Sequence, residues 1–473
     1  MIRNIFFSVL IGGIITCGCS TVHPAKELPT RRPLGKDLPT FEASSTSPAS
    51  AGSLTVVEAP KGQLTMLGAW AAALMHNPEL AAFSWEVRAA EAKTLQAGLM
   101  PNPEIGLTVE NVGGSGTYSW MEEGEITLDL RYLFELGGKR EKRAQLAQFE
   151  TERAGWDYEK RRIEVLTEVA GRFIDVLAAQ RHLKLARQNM GLASKVLHTV
   201  DRQIQGGAIS PIEYDKQLVE TISSRVALEQ AQRRLTAARH RLAATWGSRE
   251  PEFQSAVGAF ETIRPIPSIQ ALADLVSQNP DVARWTAEMA TRRAELKLAE
   301  AEKIPDLSAG VGVRRFNQSH DTALVFEISM PIPLFDLNQG NVMAAQSKIS
   351  KAIKEQKAAE VSVRAALSST YEEMSGAYTE AVALRAEALP AARRSFDKAQ
   401  TGFQRGYFDY LGVLDAQRTL FRIREQYVDA LAAYHRAVAQ LEGLIGQSIE
   451  SLEGETKQTL NRGELSHDQF QKK

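Results

Sequence analysis

The chain has 473 residues, 44% of them hydrophobic and 24% charged, and its formal net charge is −1. That near-neutral balance excludes the basic footprint of a nucleic-acid-binding protein. No stretch beyond the first residues reaches about 18 uninterrupted apolar positions, which excludes a transmembrane helix, so a membrane crossing would need strands of a closed barrel.

Residues 1–18 have the form of an export signal. Met1-Ile2-Arg3-Asn4 is a short positive start, and Ile5 to Ile15 an apolar run too short to span a bilayer. In Thr16-Cys17-Gly18-Cys19-Ser20 small residues precede a cysteine, which suits cleavage and lipid attachment at Cys19. A plain signal peptide that discards both cysteines is the other reading. Ser20, rather than aspartate, would direct a bacterial lipoprotein to the outer membrane. Both cysteines of the chain lie here, so the exported part has no disulfide and depends on packing or assembly for stability. Residues 19–62 are rich in Pro, Ser and Thr and read as a lipid-anchored, extended linker lying on a surface.

Two copies of one pattern follow. Asn77-Pro78-Glu79-Leu80 returns as Asn279-Pro280-Asp281-Val282, 202 residues later, and a second proline, Pro103 or Pro305, follows each asparagine by 26 positions. Leu133-Phe134-Glu135-Leu136 returns as Leu334-Phe335-Asp336-Leu337 after 201 residues. The near-constant offset predicts a tandem duplication of domain-sized halves, far longer than a solenoid unit of about 20–50 residues. The halves occupy 63–250 and 266–450, with a connector at 251–265 and a polar tail at 451–473.

In the first half a helix is expected over about 64–99, stopped by Met100-Pro101-Asn102-Pro103. A strand pair is expected within 103–134. Ile105, Leu107 and Val109 alternate with Gly106, Thr108 and Glu110, and after a glycine-rich turn Ile126, Leu128, Leu130 and Tyr132 alternate with Thr127, Asp129 and Arg131. A helix over 138–206 has no internal proline, and Val169, Val176, Leu183, Met190 and Leu197 fall seven apart beside a parallel row of Ala179, Ala186, Ala193 and Val200. That is a heptad seam with small residues, in a rod of about 100 Å. Gly206-Gly207-Ala208-Ile209-Ser210 reverses the chain into a return helix over 211–246.

The second half repeats the order: a helix at 268–304, strands within 305–332, a long helix at 339–405, a turn at Gly406-Tyr407-Phe408-Asp409 and a return helix at 411–446. Pro390 is expected to kink the long helix. Ser210 and Asp409 are candidate caps of the return helices. In each half, two short helices match the length of the long one and are expected to stack end to end beside it. The four strands, each with one apolar face, fit either a soluble sheet with one buried side or an outer-membrane barrel, and the export signal favours the barrel. Four strands cannot close, since small barrels start at about eight, so the chain is expected to oligomerise with cyclic symmetry.

Several motifs add a family. The Asn-Pro-Glu start, Leu133-Phe134-Glu135-Leu136-Gly137-Gly138-Lys139-Arg140, Met330-Pro331-Ile332-Pro333-Leu334-Phe335-Asp336 with Asn338-Gln339-Gly340, and Gly412-Val413-Leu414-Asp415-Ala416-Gln417-Arg418 resemble the TolC family of bacterial outer-membrane efflux channels. The likeness covers about 63–450 and points to the heavy-metal efflux branch, although channels for drugs and secreted proteins share the last motif. It implies a mainly α fold with a membrane β-barrel portion: coiled-coil hairpins and four strands per chain, forming in a homotrimer an α-barrel and a twelve-stranded β-barrel. It also implies a periplasmic adaptor and an inner-membrane pump of the resistance-nodulation-division type as partners, with the chain set in outer-membrane lipid.

The resemblance places adaptor contacts at the tips Gly207, Ala208, Ile209, Ser210 and Gly406, Tyr407, Phe408, Asp409. Glycine there also serves to end a helix with positive φ. The resemblance puts Asp415 in a ring of aspartates at the closed periplasmic entrance, and Gly412 where some channels carry another; interaction with the positive end of its helix is the alternative for Asp415. On the polar strand face Glu110, Asp129, Arg131 and Glu327 would line the lumen. The eight histidines show no metal-ligand spacing, and no nucleophile triad or phosphate loop stands out, so neither a cofactor, a resident metal nor an enzyme is expected. The expected function is a passive duct for metal cations; the alternatives are the same duct for drugs or secreted proteins and, remotely, an exported coiled-coil structural protein.

Overall fold

The structure is a computed structural model and describes residues 28–44, 60–207 and 209–450. The export signal, Cys19, Ala208 and the tail 451–473 lie outside these. In chain order the first half forms β1 (Gly62–Leu64), α1 (Met66–His76), α2 (Pro78–Ala97), β2 (Glu104–Glu110), β3 (Glu125–Phe134), α3 (Lys139–Gln205) and α4 (Ile212–Ala244). Then come β4 (Phe253–Ala256), α5 (Ile269–Leu275), α6 (Pro280–Ala283), α7 (Trp285–Ala301), β5 (Leu307–Phe316) and β6 (Thr322–Ser329). The chain closes with α8 (Gln339–Ala383), a π turn at Leu384–Ala388, α9 (Leu389–Gln404) and α10 (Tyr410–Ile445).

Two compact units result. One holds Glu86–Gly155 and Trp285–Glu355 and carries a four-stranded antiparallel sheet in the order β2-β3-β5-β6. The other holds Thr30–Trp85, Trp156–Arg284 and Gln356 onward. Its core is built on the heptad rows of α3: Val169, Val176, Leu183, Ala186, Ala193 and Val200 are all buried, with Trp246 and Phe253 among the largest enclosed side chains.

Three expectations change. The single helix over 64–99 is broken at Asn77, because Pro78 has no N–H to donate and the residue before a proline is driven to extended geometry (φ −66°, ψ 120°). The helix over 268–304 breaks in the same way at Asn279, with short turns on either side. Both asparagines do the same work. Asn77 Oδ1 accepts from Leu80 N (2.8 Å) and its Nδ2 donates to Thr245 O (2.8 Å), while Asn279 Oδ1 accepts from Asp281 N (2.7 Å) and its Nδ2 donates to Leu444 O (2.8 Å). Each caps one helix and ties it to the end of a return helix. Finally, the connector at 251–265 contains β4, paired in parallel with β1 through Gly62↔Phe253 and Leu64↔Ala256. Strands of three and four residues are too short to leave a periodic signal.

The linker also has structure where it is described. Leu34 N donates to Gly446 O (3.0 Å), Phe41 N to Leu74 O (3.0 Å) and Ala43 N to Ser84 Oγ (2.8 Å). This strap is fastened by Arg162 and Glu159. Arg162 donates to Leu34 O (2.9 Å), to Arg32 O (3.0 Å) and twice to the Glu159 carboxylate (2.8 Å each), which in turn accepts from Arg32 N (2.6 Å).

Candidate functional site

The sheet is the first candidate, and its two faces are inverted relative to a soluble protein. Directly paired residues share a face, so the register Gly106↔Asp129↔Gly312↔Val325 and Glu104↔Arg131↔Gly310↔Glu327 sorts the polar residues onto one side. The other side carries Ile105, Leu107, Val109, Ile126, Leu128, Val311, Val313, Leu324, Phe326 and Ile328, and every one of them is exposed, Ile105 by 78% and Ile328 by 76%. Thr127 and Asp129, on the polar side, are buried instead. Tyr132 and Phe134 pack edge to face at 4.9 Å at one end of the apolar band, and Trp120 stands exposed in the β2–β3 turn at the other.

The polar face is a charge lattice. The Arg131 guanidinium lies 2.7 Å from Asp129 and 3.3 Å from Glu327; its Nε contact with Asp129 lacks hydrogen-bond alignment, while its Nη2 donates to Asp129 Oδ1 at 3.4 Å. Arg314 bridges three strands: it meets Glu110 (3.2 Å), Glu125 (2.8 Å) and Thr127 Oγ1 (2.9 Å). Asp129 sits between two glycines. A Cβ at Gly106 would come within 2.7 Å of its carboxylate, and one at Gly312 within 2.8 Å of its Cβ. The strands thus carry Glu104, Glu110, Glu125, Asp129 and Glu327 against Arg131 and Arg314, an acidic excess on this face. The sequence reading named Glu110, Asp129, Arg131 and Glu327. It missed the bridging role of Arg314, which only cross-strand register discloses.

The helical turns are the second candidate. Gly207 (φ +70°) ends α3 and Gly406 (φ +76°) ends α9, where Tyr407 N returns to Gly402 O at 2.8 Å. A Cβ on Gly402 would overlap the Phe408 ring, so this glycine lets the ring lie on the helix. Tyr407, Phe408 and Leu411 are exposed, whereas Ile209 in the first turn packs against a buried cluster. Asp409 caps α10, its Oδ1 accepting from Gly412 N at 3.0 Å. Ser210 does not cap α4: Pro211 takes the cap position, and only the Ser210 carbonyl is used, by Glu213 N (3.1 Å).

Asp415 lies in the first turns of α10, exposed, two residues from the buried Gln417. Beside it the two return helices are tied. The Tyr410 hydroxyl donates to Gln217 Oε1, Gln217 Nε2 donates to Ala193 O (3.0 Å), and Arg418 pairs with Glu220 (2.8 Å). Burial, followed by the nearby carboxylates of Glu213 and Glu220, pushes the Tyr410 phenol far up, so it remains a donor. Nothing in the sequence pattern singled out this tie, because its partners come from different halves.

Among the described residues no group of His, Cys, Asp and Glu could hold a resident metal, and no helix is long and apolar enough to cross a membrane. Comparison with known proteins adds the following. The cobalt-zinc-cadmium resistance protein CzcC of Cupriavidus metallidurans is 31% identical over 386 residues, covering 82% of this chain and 91% of that protein. The pyoverdine export outer membrane protein OpmQ of Pseudomonas aeruginosa is 24% identical, covering 79% and 82%. A crystal structure of CusC superposes with a TM-score of 0.70 at 18% identity, covering 90% of this chain and all of that one, which shows a shared fold. The profile described as outer membrane efflux protein matches residues 70–248 and again 271–447. The chain belongs to the outer membrane efflux protein family.

Proposed function

We propose that this chain is the outer-membrane subunit of a tripartite efflux system, a passive exit duct for heavy-metal cations that works as a homotrimer. A periplasmic adaptor and an inner-membrane pump of the resistance-nodulation-division type would supply its cargo and energy. The observation that carries this reading is the inverted sheet, exposed and apolar on one face and acidic on the other, with β2 and β6 left as open edges. Three copies would join these edges into twelve strands, above the minimum of about eight for closure. Glu110, Asp129, Arg131 and Glu327 would then line the lumen. Gly207–Ser210 and Gly406–Asp409 would meet the adaptor, Asp415 beside Gly412 would ring the entrance, and an acyl chain on Cys19 would anchor the strap. The duplicated halves would give the trimer six similar wall units.

The metal cargo is supported by CzcC, a cobalt-zinc-cadmium resistance protein by name, and by the acidic excess on the lining face, which concentrates cations. OpmQ, named for pyoverdine, supports a second reading in which the same duct carries organic cargo. Deletion of the gene should sensitise cells to cobalt, zinc, cadmium, copper or silver, with restoration by the intact chain. Sensitivity confined to detergents and drugs would replace the metal reading with the second one.

A further inference from the structure

A cavity of about 1020 Å³ opens in the second unit, between α3, α10, the π turn before α9 and the Phe260–Glu261 segment. That is the upper end of the size range of small-molecule sites. Its floor is apolar, formed in part by Leu192, Leu420 and Leu431, and its wall carries Arg181, Lys184, Lys195, Arg385, Arg393 and Arg424. One carboxylate, Glu261, lines it, and that one is held by Arg181 at 2.8 Å. Among the described residues the other five cations make no ion pair.

The wall is shaped to gather these charges. Pro390 cannot donate within its helix, and the chain answers with a π turn in which Leu389 N bonds to Leu384 O, five residues back. Residues eight apart in an unbroken α-helix differ by about 80° around the axis, and the extra residue of a π turn brings this to about 20°. Arg385 and Arg393 therefore line one cavity. Opposite them, Arg424 is partly withdrawn from water. Burial first, and then repulsion from Arg393, lowers its pKa, against a smaller opposing pull from Asp397. Like charges that outnumber the carboxylates around a cleft cost stability unless an anion joins them.

We propose that this cavity binds a small amphiphilic anion, an apolar body bearing two or more sulfonate, phosphate or carboxylate groups. The apolar floor takes the body, and the guanidinium forks of Arg385, Arg393 and Arg424 take the acidic groups in paired hydrogen bonds. The site is independent of the exit-duct reading, and either can fail without the other.

The probe is pyrene-1,3,6,8-tetrasulfonate, a rigid fluorescent body with four acidic groups, titrated into the full chain purified as its membrane assembly. Saturable binding with one probe per chain is expected, weakening at least tenfold from low to high salt. The double variant Arg393→Gln/Arg424→Gln should weaken it at least tenfold, while Lys351→Gln, far along α8, leaves it unchanged. Naphthalene-1,5-disulfonate should compete at a lower concentration than inorganic triphosphate, and a trimethylammonium pyrene should not bind. Absence of saturable binding to the intact chain, equal binding by the double variant, or equal competition by inorganic triphosphate would overturn the assignment. If the double variant failed to assemble, the salt dependence and the cationic probe on the intact chain would still decide.

Discussion

Arg162 and Glu159 are the only fully enclosed ion pair that holds the strap among the described residues, and replacing Arg162 by methionine separates their roles. The two side chains are 0% and 3% exposed. Methionine fills a comparable volume but abandons the Glu159 carboxylate and the carbonyls of Arg32 and Leu34 beside Leu34, Ile163 and Leu166. Breaking a buried pair from one side costs about 3–5 kcal/mol, because the remaining charge has lost its counter-charge and water cannot reach it. The strap gives the structure a cheaper outlet. Its main buried anchor is Leu34, worth about 1.5–3 kcal/mol, with a few hydrogen bonds worth about 1 kcal/mol each. The penalty is of the same order as what holds the strap down, so the strap should lift and rehydrate Glu159 before the core yields.

Trypsin cleavage after Arg31 and Lys36 reads this directly, and it should accelerate about a hundredfold or more, at about 1.4 kcal/mol per tenfold. Trp156 gives a second signal, because the Arg32 guanidinium lies 4.9 Å above its ring and would leave with the strap. In Glu159→Leu/Arg162→Met both charges are gone, and most of the protection should return. Cleavage of the single variant within threefold of the parent, or a double variant as labile as the single one, would refute the reasoning.

Three further outcomes are expected. Gly312→Val would set a Cβ 2.8 Å from that of Asp129 and 2.9 Å from Leu128 O, so strand register must give way at about 1–3 kcal/mol or more, and heat-resistant assembly in the outer membrane should be lost; normal assembly would contradict it. Burial lowers the pKa of His435, whose Nε2 donates to Phe260 O at 2.8 Å, so the unfolded chain takes the proton first and stability falls as pH drops below about 6.5, by up to about 1.4 kcal/mol per pH unit. His435→Gln should flatten that slope in melting experiments between pH 7 and 5. Asp415→Ala should raise single-channel conductance in planar bilayers if three aspartates close the entrance, and unchanged conductance would remove the gate assignment.

Strands and long helices were legible because each has a period that one residue after another repeats. The alternation from Ile105 to Val109 and the sevenfold spacing along α3 needed no partner to be seen. What escaped depends on contacts far away in sequence. Asn77 looked like part of one helix because its partner, Thr245 O, lies 168 residues on. The fastening of the strap needs Arg162, and Ser210 failed as a cap only because Pro211 took its place. The departure between the copies at Gly137 and Asn338 proves conformationally silent, since both adopt positive φ, 69° and 56°, and asparagine is the side chain that tolerates it best. The two halves diverge where chemistry does, at the second turn with its exposed Tyr407 and Phe408, and at the π turn that only the second long helix contains.

The inverted sheet also limits what can surround it. Ten large apolar side chains on one face are exposed, and at roughly half exposure each they forgo on the order of 10 kcal/mol of burial. That is comparable to the whole stability of a folded domain, about 5–15 kcal/mol, so the face must be covered in the working protein. A protein partner would be expected to bring polar contacts, yet the band offers none between Ile105 and Val109 or between Leu324 and Ile328 on that face. Its ends instead carry Trp120 at one side and Tyr132, Phe134 and the 91% exposed Phe335 at the other, where amphipathic rings settle at a lipid–water boundary. Lipid is the solvent that fits both the bare middle and the aromatic margins. The unpaired edges of β2 and β6 cannot face that solvent with their N–H and C=O groups unmet, which is the physical argument behind the proposal that several copies join their edges.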